Sequence, residues 1–145
     1  ALFPPAENFL LSAKVAVDFR GTFDAGVLVL YENQDFWAKL CFEFSPQKQP
    51  MVVSVVTRTL SDDCNSAPIE GNAVFLRIAK IDQAFAFHFS TDGRFWHLVR
   101  HFTLGELHNL RVGFSTQAPT GSGCTAIFSE ITYTPRKLKD IRSGE

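Results

Sequence analysis

Trp37, Lys39 and Glu43 stand at alternate positions in the segment Phe36-Trp37-Ala38-Lys39-Leu40-Cys41-Phe42-Glu43-Phe44. An extended chain turns successive side chains to opposite faces. One face then carries Phe36, Ala38, Leu40, Phe42 and Phe44, and reads as core. The other carries Trp37, Lys39, Cys41 and Glu43. An aromatic plate, a cation and a carboxylate on one line suit a sugar: an indole covers the apolar face of a pyranose, and charged or amide groups bond its hydroxyls. The competing reading is the ordinary solvated face of an antiparallel sheet.

Other segments divide in the same way. Phe85, Phe87 and Phe89 oppose Ala84, Ala86, His88 and Ser90, while Val74, Leu76 and Ile78 oppose Phe75, Arg77 and Ala79. Leu110, Val112 and Phe114 oppose Arg111, Gly113, Ser115 and Gln117. Small residues among the polar faces (Ala84, Ala86, Gly113, Ser115) would leave a groove, flanked by Trp37, Lys39, Glu43, Arg77, His88 and Gln117. The set taken together repeats the composition of a binding site.

The elements that must position these groups are strands. Leu11, Ala13, Val15, Val17 and Phe19 alternate with polar or small residues, and Gly26 to Glu32 is nearly all apolar. Met51 to Arg58 is Val-rich, and Ala73–Lys80, Gln83–Ser90, Phe95–Phe102, Asn109–Thr116 and Thr125–Thr134 complete about nine strands. Asn33-Gln34-Asp35 and Thr91-Asp92-Gly93-Arg94 read as turns, and Ser45 to Pro50 as a loop. Thr59 to Asn72 reads as the longest loop, Leu104 to His108 as one helical turn, and Pro135 to Glu145 as a tail that frays or lies on the surface. Regular strands with almost no helix predict an all-β fold, an antiparallel two-sheet β-sandwich, as a single domain over residues 1–145.

Composition narrows the partners. The 145 residues are 46% hydrophobic with a formal charge of −1 and 15 Phe, which suits a packed β core. No Lys/Arg run could neutralise phosphates, so nucleic acid is not an expected partner. No apolar run approaches the ~20 residues of a membrane-crossing helix, so a membrane is not expected either. Cys41, Cys64 and Cys124 are odd in number without CxxC spacing. They read as free thiols in a reducing, cytoplasmic compartment, with a Cys64–Cys124 disulfide as the alternative.

Phe23-Asp24-Ala25-Gly26-Val27-Leu28 followed by Trp37-x-Lys39-x-x-x-Glu43 resembles the regulation-of-enolase protein family, a domain of unknown function. Val55-Val56-Thr57-Arg58 with Ser61-Asp62, Phe89-Ser90-Thr91-Asp92-Gly93 with Trp96, Val112-Gly113-Phe114 with Gln117-x-Pro119, and Asp140-Ile141-Arg142-Ser143-Gly144 fit the same pattern. The resemblance implies a concanavalin A-like lectin/glucanase jelly roll, similar also to the accessory domain of some β-xylosidases. It implies, too, a further N-terminal segment ahead of Ala1, supplying an edge strand or groove wall. Arg58 and Asp62 thereby join Trp37, Lys39, Glu43, Arg77, His88 and Gln117 as candidate ligand-binding residues.

Catalysis is weighed against binding through the carboxylates. A glycoside hydrolase needs two of them flanking the scissile bond, about 5–9.5 Å apart. Glucanases of the fold that the resemblance implies place acids along one strand at Glu-x-Asp-x-Glu-like spacing, whereas Glu43 stands alone. Asp62 or Asp63 could approach it from the long loop, and Glu32 or Glu130 from neighbouring strands. Lys39, two positions away, is expected to favour the ionised form of Glu43, which suits a base or a binding anion. His97 and His101 would lie about 13 Å apart on a strand, too far for one metal ion. Asp62-Asp63-Cys64-Asn65 could offer oxygens to Ca²⁺, though a turn is the simpler reading. The expected function is carbohydrate binding in a polar groove without catalysis, with no metal or cofactor. A regulatory protein-interaction module and a glycosidase are the alternatives.

Overall fold

With almost no helix to cover them, alternating apolar side chains must be buried sheet against sheet, and the computed structural model, which describes residues 1–145, does this with strands alone. In chain order they are β1 (Leu2–Phe3), β2 (Phe9–Asp18), β3 (Ala25–Asn33), β4 (Phe36–Phe44), β5 (Pro50–Arg58) and β6 (Leu60–Pro68). They continue as β7 (Ala73–Ile81), β8 (Ala84–Ser90), β9 (His97–Thr103), β10 (Arg111–Gln117) and β11 (Thr125–Thr134). One sheet runs β1-β10-β3-β4-β5-β6 and the other β11-β2-β7-β8-β9, with every pairing antiparallel. The fold is the expected two-sheet sandwich. No helix is long and apolar enough to cross a membrane.

The core lies between the inner faces. Phe9, Leu11, Val15, Leu28, Leu40, Phe42, Leu76, Ile78, Phe85 and Phe87 are all buried there. Each large side chain contributes about 1.5–3 kcal/mol by leaving water. Gly26 marks a close approach of β3 to β2, because a Cβ there would meet Val15 Cγ1 at 2.5 Å and Val17 Cγ2 at 3.1 Å. Gly26→Ala should cost about 1–3 kcal/mol through overpacking. Urea unfolding should show a lower midpoint at unchanged slope, and an unchanged midpoint would contradict this packing.

Four expectations are corrected. Thr59 to Asn72 is not mainly a loop: Leu60 to Pro68 forms the edge strand β6, paired along β5. Nearly all of it is exposed, so its polar composition satisfies both faces while the main chain supplies the pairing. Thr59, at φ 66°, makes the tight turn into it. Leu104 to His108 forms no helical turn: Gly105 sits at φ +78°, and the Glu32 carboxylate accepts hydrogen bonds from the His108 and Asn109 amides at 2.9 and 2.8 Å. The strand expected from Phe95 starts at His97, because Asp92 Oδ1 accepts from the Arg94 and Phe95 amides and prolongs the turn. The strands number eleven, with β1 and β6 beyond the nine expected.

The tail after β11 crosses the outer face of the five-stranded sheet. Leu138 is buried against Leu10, Ala79 and Ala86, with Leu98 and Ile141 packed alongside. The small residues at 79 and 86 therefore make room for the chain's own tail.

Candidate functional site

Cross-strand register turns the outer face of the six-stranded sheet into a grid. Gln117, Ala25, Glu43 and Met51 form one row, and Ser115, Val27, Cys41, Val53 and Asn65 the next. Gly113, Val29, Lys39, Val55 and Asp63 form a third, and Arg111, Tyr31, Trp37, Thr57 and Ser61 a fourth. Val27, Cys41, Val53 and Val55 are buried although they point away from the core, the first three packing with Ala25 in a small outer cluster flanked by Val29 and Met51. Val53 and Val55 floor a trough of about 560 Å³ whose walls include Phe23, Trp37, Lys39, Glu43, Asp63, Asn65 and Gln117. Cys41 lies buried beneath this surface, where burial pushes its thiol up to about 12, so it is inert as a nucleophile.

Gln117 ties the polar groups together. Lys39 Nζ donates to Gln117 Oε1 at 2.9 Å, and Gln117 Nε2 donates to Glu43 Oε2 at 3.2 Å and to the Phe23 carbonyl at 3.1 Å. The ammonium also stands 5.9 Å from the Trp37 ring centroid. Trp37, Lys39, Glu43 and Gln117 thus form one connected cluster drawn from β4 and β10. Each half-buried side chain leaves part of its surface to the trough.

The electrostatics of Glu43 correct the expectation that Lys39 would dominate. Burial pushes the Glu43 carboxyl up, Lys39 pulls it down by less, and Asp63 across the trough pushes it up further. The group is therefore easier to protonate than an ordinary glutamate. Removing the opposing charges should separate these causes. Asp63→Asn should lower the Glu43 titration midpoint, and Lys39→Met should raise it, read from its side-chain carboxyl carbon by NMR. Midpoints that move in neither variant would contradict the assignment.

The other candidates lie elsewhere, so one groove shared by all eight residues is not what forms. Arg58 and Asp62 meet at 3.5 Å on the rim between the sheets, where Arg100 of β9 approaches Asp62 at 4.0 Å. Successive residues of β6 take opposite faces, so Asp63 reaches the trough and Asp62 does not. The same alternation separates the oxygens that a calcium site would need. Glu32 holds the loop at 108–109, and Glu130 pairs with Lys14 on the other sheet at 3.6 Å. Asp63 is then the carboxylate that shares the trough with Glu43, two strands across and four residues along, roughly 16 Å between Cα atoms.

Arg77 and His88 face outward from the five-stranded sheet, directly opposite each other on β7 and β8. Both serve the tail. Arg77 Nη2 donates to the Gly144 carbonyl at 2.8 Å, and His88 Nε2 lies 2.7 Å from the Ile141 carbonyl. Burial, reinforced by Arg77, holds His88 down at about 4, so the ring is neutral with Nε2 donating. His97 stacks on Phe89 at 4.8 Å, and no group of three or more His, Cys, Asp or Glu is arranged to hold a metal. Cys41, Cys64 and Cys124 are free thiols. Reading from sequence named Asp63 only beside Asp62 as an acid that could approach Glu43, and missed Asn65, Val53 and Val55 as trough residues. The signal lay in β6 pairing with β5, which a uniformly polar segment beside a Val run hides.

Residues 1–136 match a family described as protein of unknown function, DUF1349. The chain belongs to the DUF1349 family. Solved structures show where this DUF1349 domain sits among known folds. A functionally unknown protein from Saccharomyces cerevisiae matches with a TM-score of 0.80 at 23% identity, over 92% of this chain and 71% of that one. The GH43 BlXynB protein from Bacillus licheniformis matches with a TM-score of 0.78 at 14% identity, over 90% of this chain and 28% of that one. Xylan beta-1,4-xylosidase from Bacillus halodurans C-125 matches with a TM-score of 0.74 at 18% identity, over 88% and 28%. No curated protein matches at the level of sequence. At these identities the likeness carries the sandwich fold alone.

Proposed function

We propose that the trough on the six-stranded sheet binds carbohydrate without cleaving it. The observation that carries this reading is the linked cluster of Trp37, Lys39, Glu43 and Gln117 over a trough of about 560 Å³. Trp37 offers the flat apolar surface that a pyranose ring covers, and the carboxylate, amide and ammonium offer both acceptors and donors for hydroxyls. Occurrence of the same sandwich in a xylan-cleaving enzyme and in a GH43 protein supports a saccharide ligand. The motif resemblance to the regulation-of-enolase family supports a role in carbohydrate metabolism, and the free thiols suit a cytoplasmic setting.

Calorimetry against neutral and acidic oligosaccharides, xylo-oligosaccharides among them, tests the reading. A saccharide that binds saturably supports it, while a folded protein that binds none of the panel contradicts it. If a protein partner is instead captured through Lys39 and Glu43 and no sugar competes, the surface is a protein-interaction site. The glycosidase reading is favoured by one observation, the raised carboxyl of Glu43 facing Asp63 across the trough. Turnover of a chromogenic glycoside panel that disappears in both Glu43→Gln and Asp63→Asn would establish it in place of simple binding.

A further inference from the structure

The opposite face of the molecule holds a concentration of cations that the saccharide trough does not use. Arg77 from β7, Arg94 from the loop between β8 and β9, and Arg136 and Lys139 from the tail line a cavity of about 390 Å³ around Trp96. None of the four takes part in an ion pair, although six other pairs form across the chain. Glu145 is the only acid in the lining.

Arg77 is the unusual member. It is only 6% exposed, and its guanidinium lies 4.0 Å from the Trp96 ring centroid. Nη2 donates to Gly144, whereas Nε is buried with no partner. Gly144 is required for this approach, since a Cβ there would stand 2.1 Å from Arg77 Nη2. Burial and the neighbouring Arg136 lower Arg77 to about 10, a value at which it is still charged near neutrality. A buried cation with an unpaired donor, beside further unpaired cations, is costly unless an anion compensates it. Planar guanidinium forks match the oxygen pairs of phosphate, sulfate or carboxylate.

We propose that Arg77, Arg94, Arg136 and Lys139 form an oxyanion-binding site on the tail-covered face, separate from the saccharide trough. Arg94, Arg136 and Lys139 are exposed and contact the anion directly, while Arg77 supplies fixed positive charge from beneath. Filling the site links the β8–β9 loop to the tail, so anion binding tightens the strap over the five-stranded sheet.

The test follows the Trp96 indole N–H by NMR while inorganic phosphate, sulfate or glucuronate is added at constant ionic strength. Saturable shifts are expected with at least one of the three, and the arm that saturates identifies a tetrahedral anion or a carboxylate sugar as the source. The exposed double substitution Arg94→Gln/Arg136→Gln leaves the core untouched and should weaken that affinity about tenfold or more. Trp37→Ala in the trough should leave it unchanged, which separates this site from the proposed function. Non-saturating responses matching those to chloride in every arm would overturn the proposal. Saturable binding that survives the double substitution would overturn it equally.

Discussion

Trp37→Ala should weaken saccharide binding by about 2–4 kcal/mol, ~30- to ~1,000-fold, while leaving the fold intact. The expectation follows from where the indole stands. It sits on the outer face of β4, opposite Tyr31 on β3 and Thr57 on β5, and is half-buried, outside the core between the sheets. Truncation removes the aromatic face that a sugar ring covers and the ring beside the Lys39 ammonium. The Lys39–Gln117–Glu43 hydrogen bonds do not pass through the indole and should persist. Trp37→Phe should recover part of the affinity by restoring a smaller plate. Calorimetry with parallel urea unfolding checks both halves. Full affinity in a stable Trp37→Ala protein would remove the indole from the account.

Acidification from pH 7 to pH 4 should destabilise the protein by up to roughly 3 kcal/mol through His88 alone. Its folded value is depressed to about 4 from the ordinary 6.5. Above pH 6.5 both states are neutral at this ring and the contribution is complete. Between 6.5 and 4 the unfolded chain takes up a proton that the folded chain refuses, so stability falls as pH falls. Below about 4 both states are protonated and the loss levels off. Asp82, Asp92 and Asp140 are held below their ordinary values by hydrogen bonds or ion pairing, so their stabilising effects disappear only at still lower pH. His88→Gln keeps a donor for the Ile141 carbonyl and cannot titrate. Urea unfolding of this variant should show a flatter profile between pH 6.5 and 4. An unchanged profile would mean that His88 is not the titrating group.

The centre of the site was legible in the sequence because Phe36 to Phe44 contrasts large apolar with polar residues at every step. The strand forms over those same residues, with Trp37, Lys39 and Glu43 on the outer face. Gln117 was readable as the polar side of its own strand. Two kinds of information were not readable. Alternation tells which face of a strand a residue occupies, but not which sheet the strand joins, so Arg77 and His88 appeared to belong with Trp37. The pairing order sends them to the other layer, where they fasten the tail. Edge strands are also poorly marked, since β6 has solvent on nearly all its side chains and needs no apolar rhythm. That concealed the separation of Asp62 from Asp63, and with it which of the two acids shares the trough with Glu43.

A single experiment addresses the central claim most directly: two-dimensional NMR of the labelled protein during titration with the saccharide panel. Binding in the trough predicts saturable shifts at the Trp37 indole, the Gln117 side-chain amide, and the Lys39, Glu43 and Asp63 backbone amides. With the neutral saccharides, resonances of Arg77 and His88 on the far sheet, and of Trp96 beside it, should stay in place. Saturable shifts confined to that far sheet, or no saturable shift with any saccharide, would contradict the assignment of the trough as a carbohydrate site.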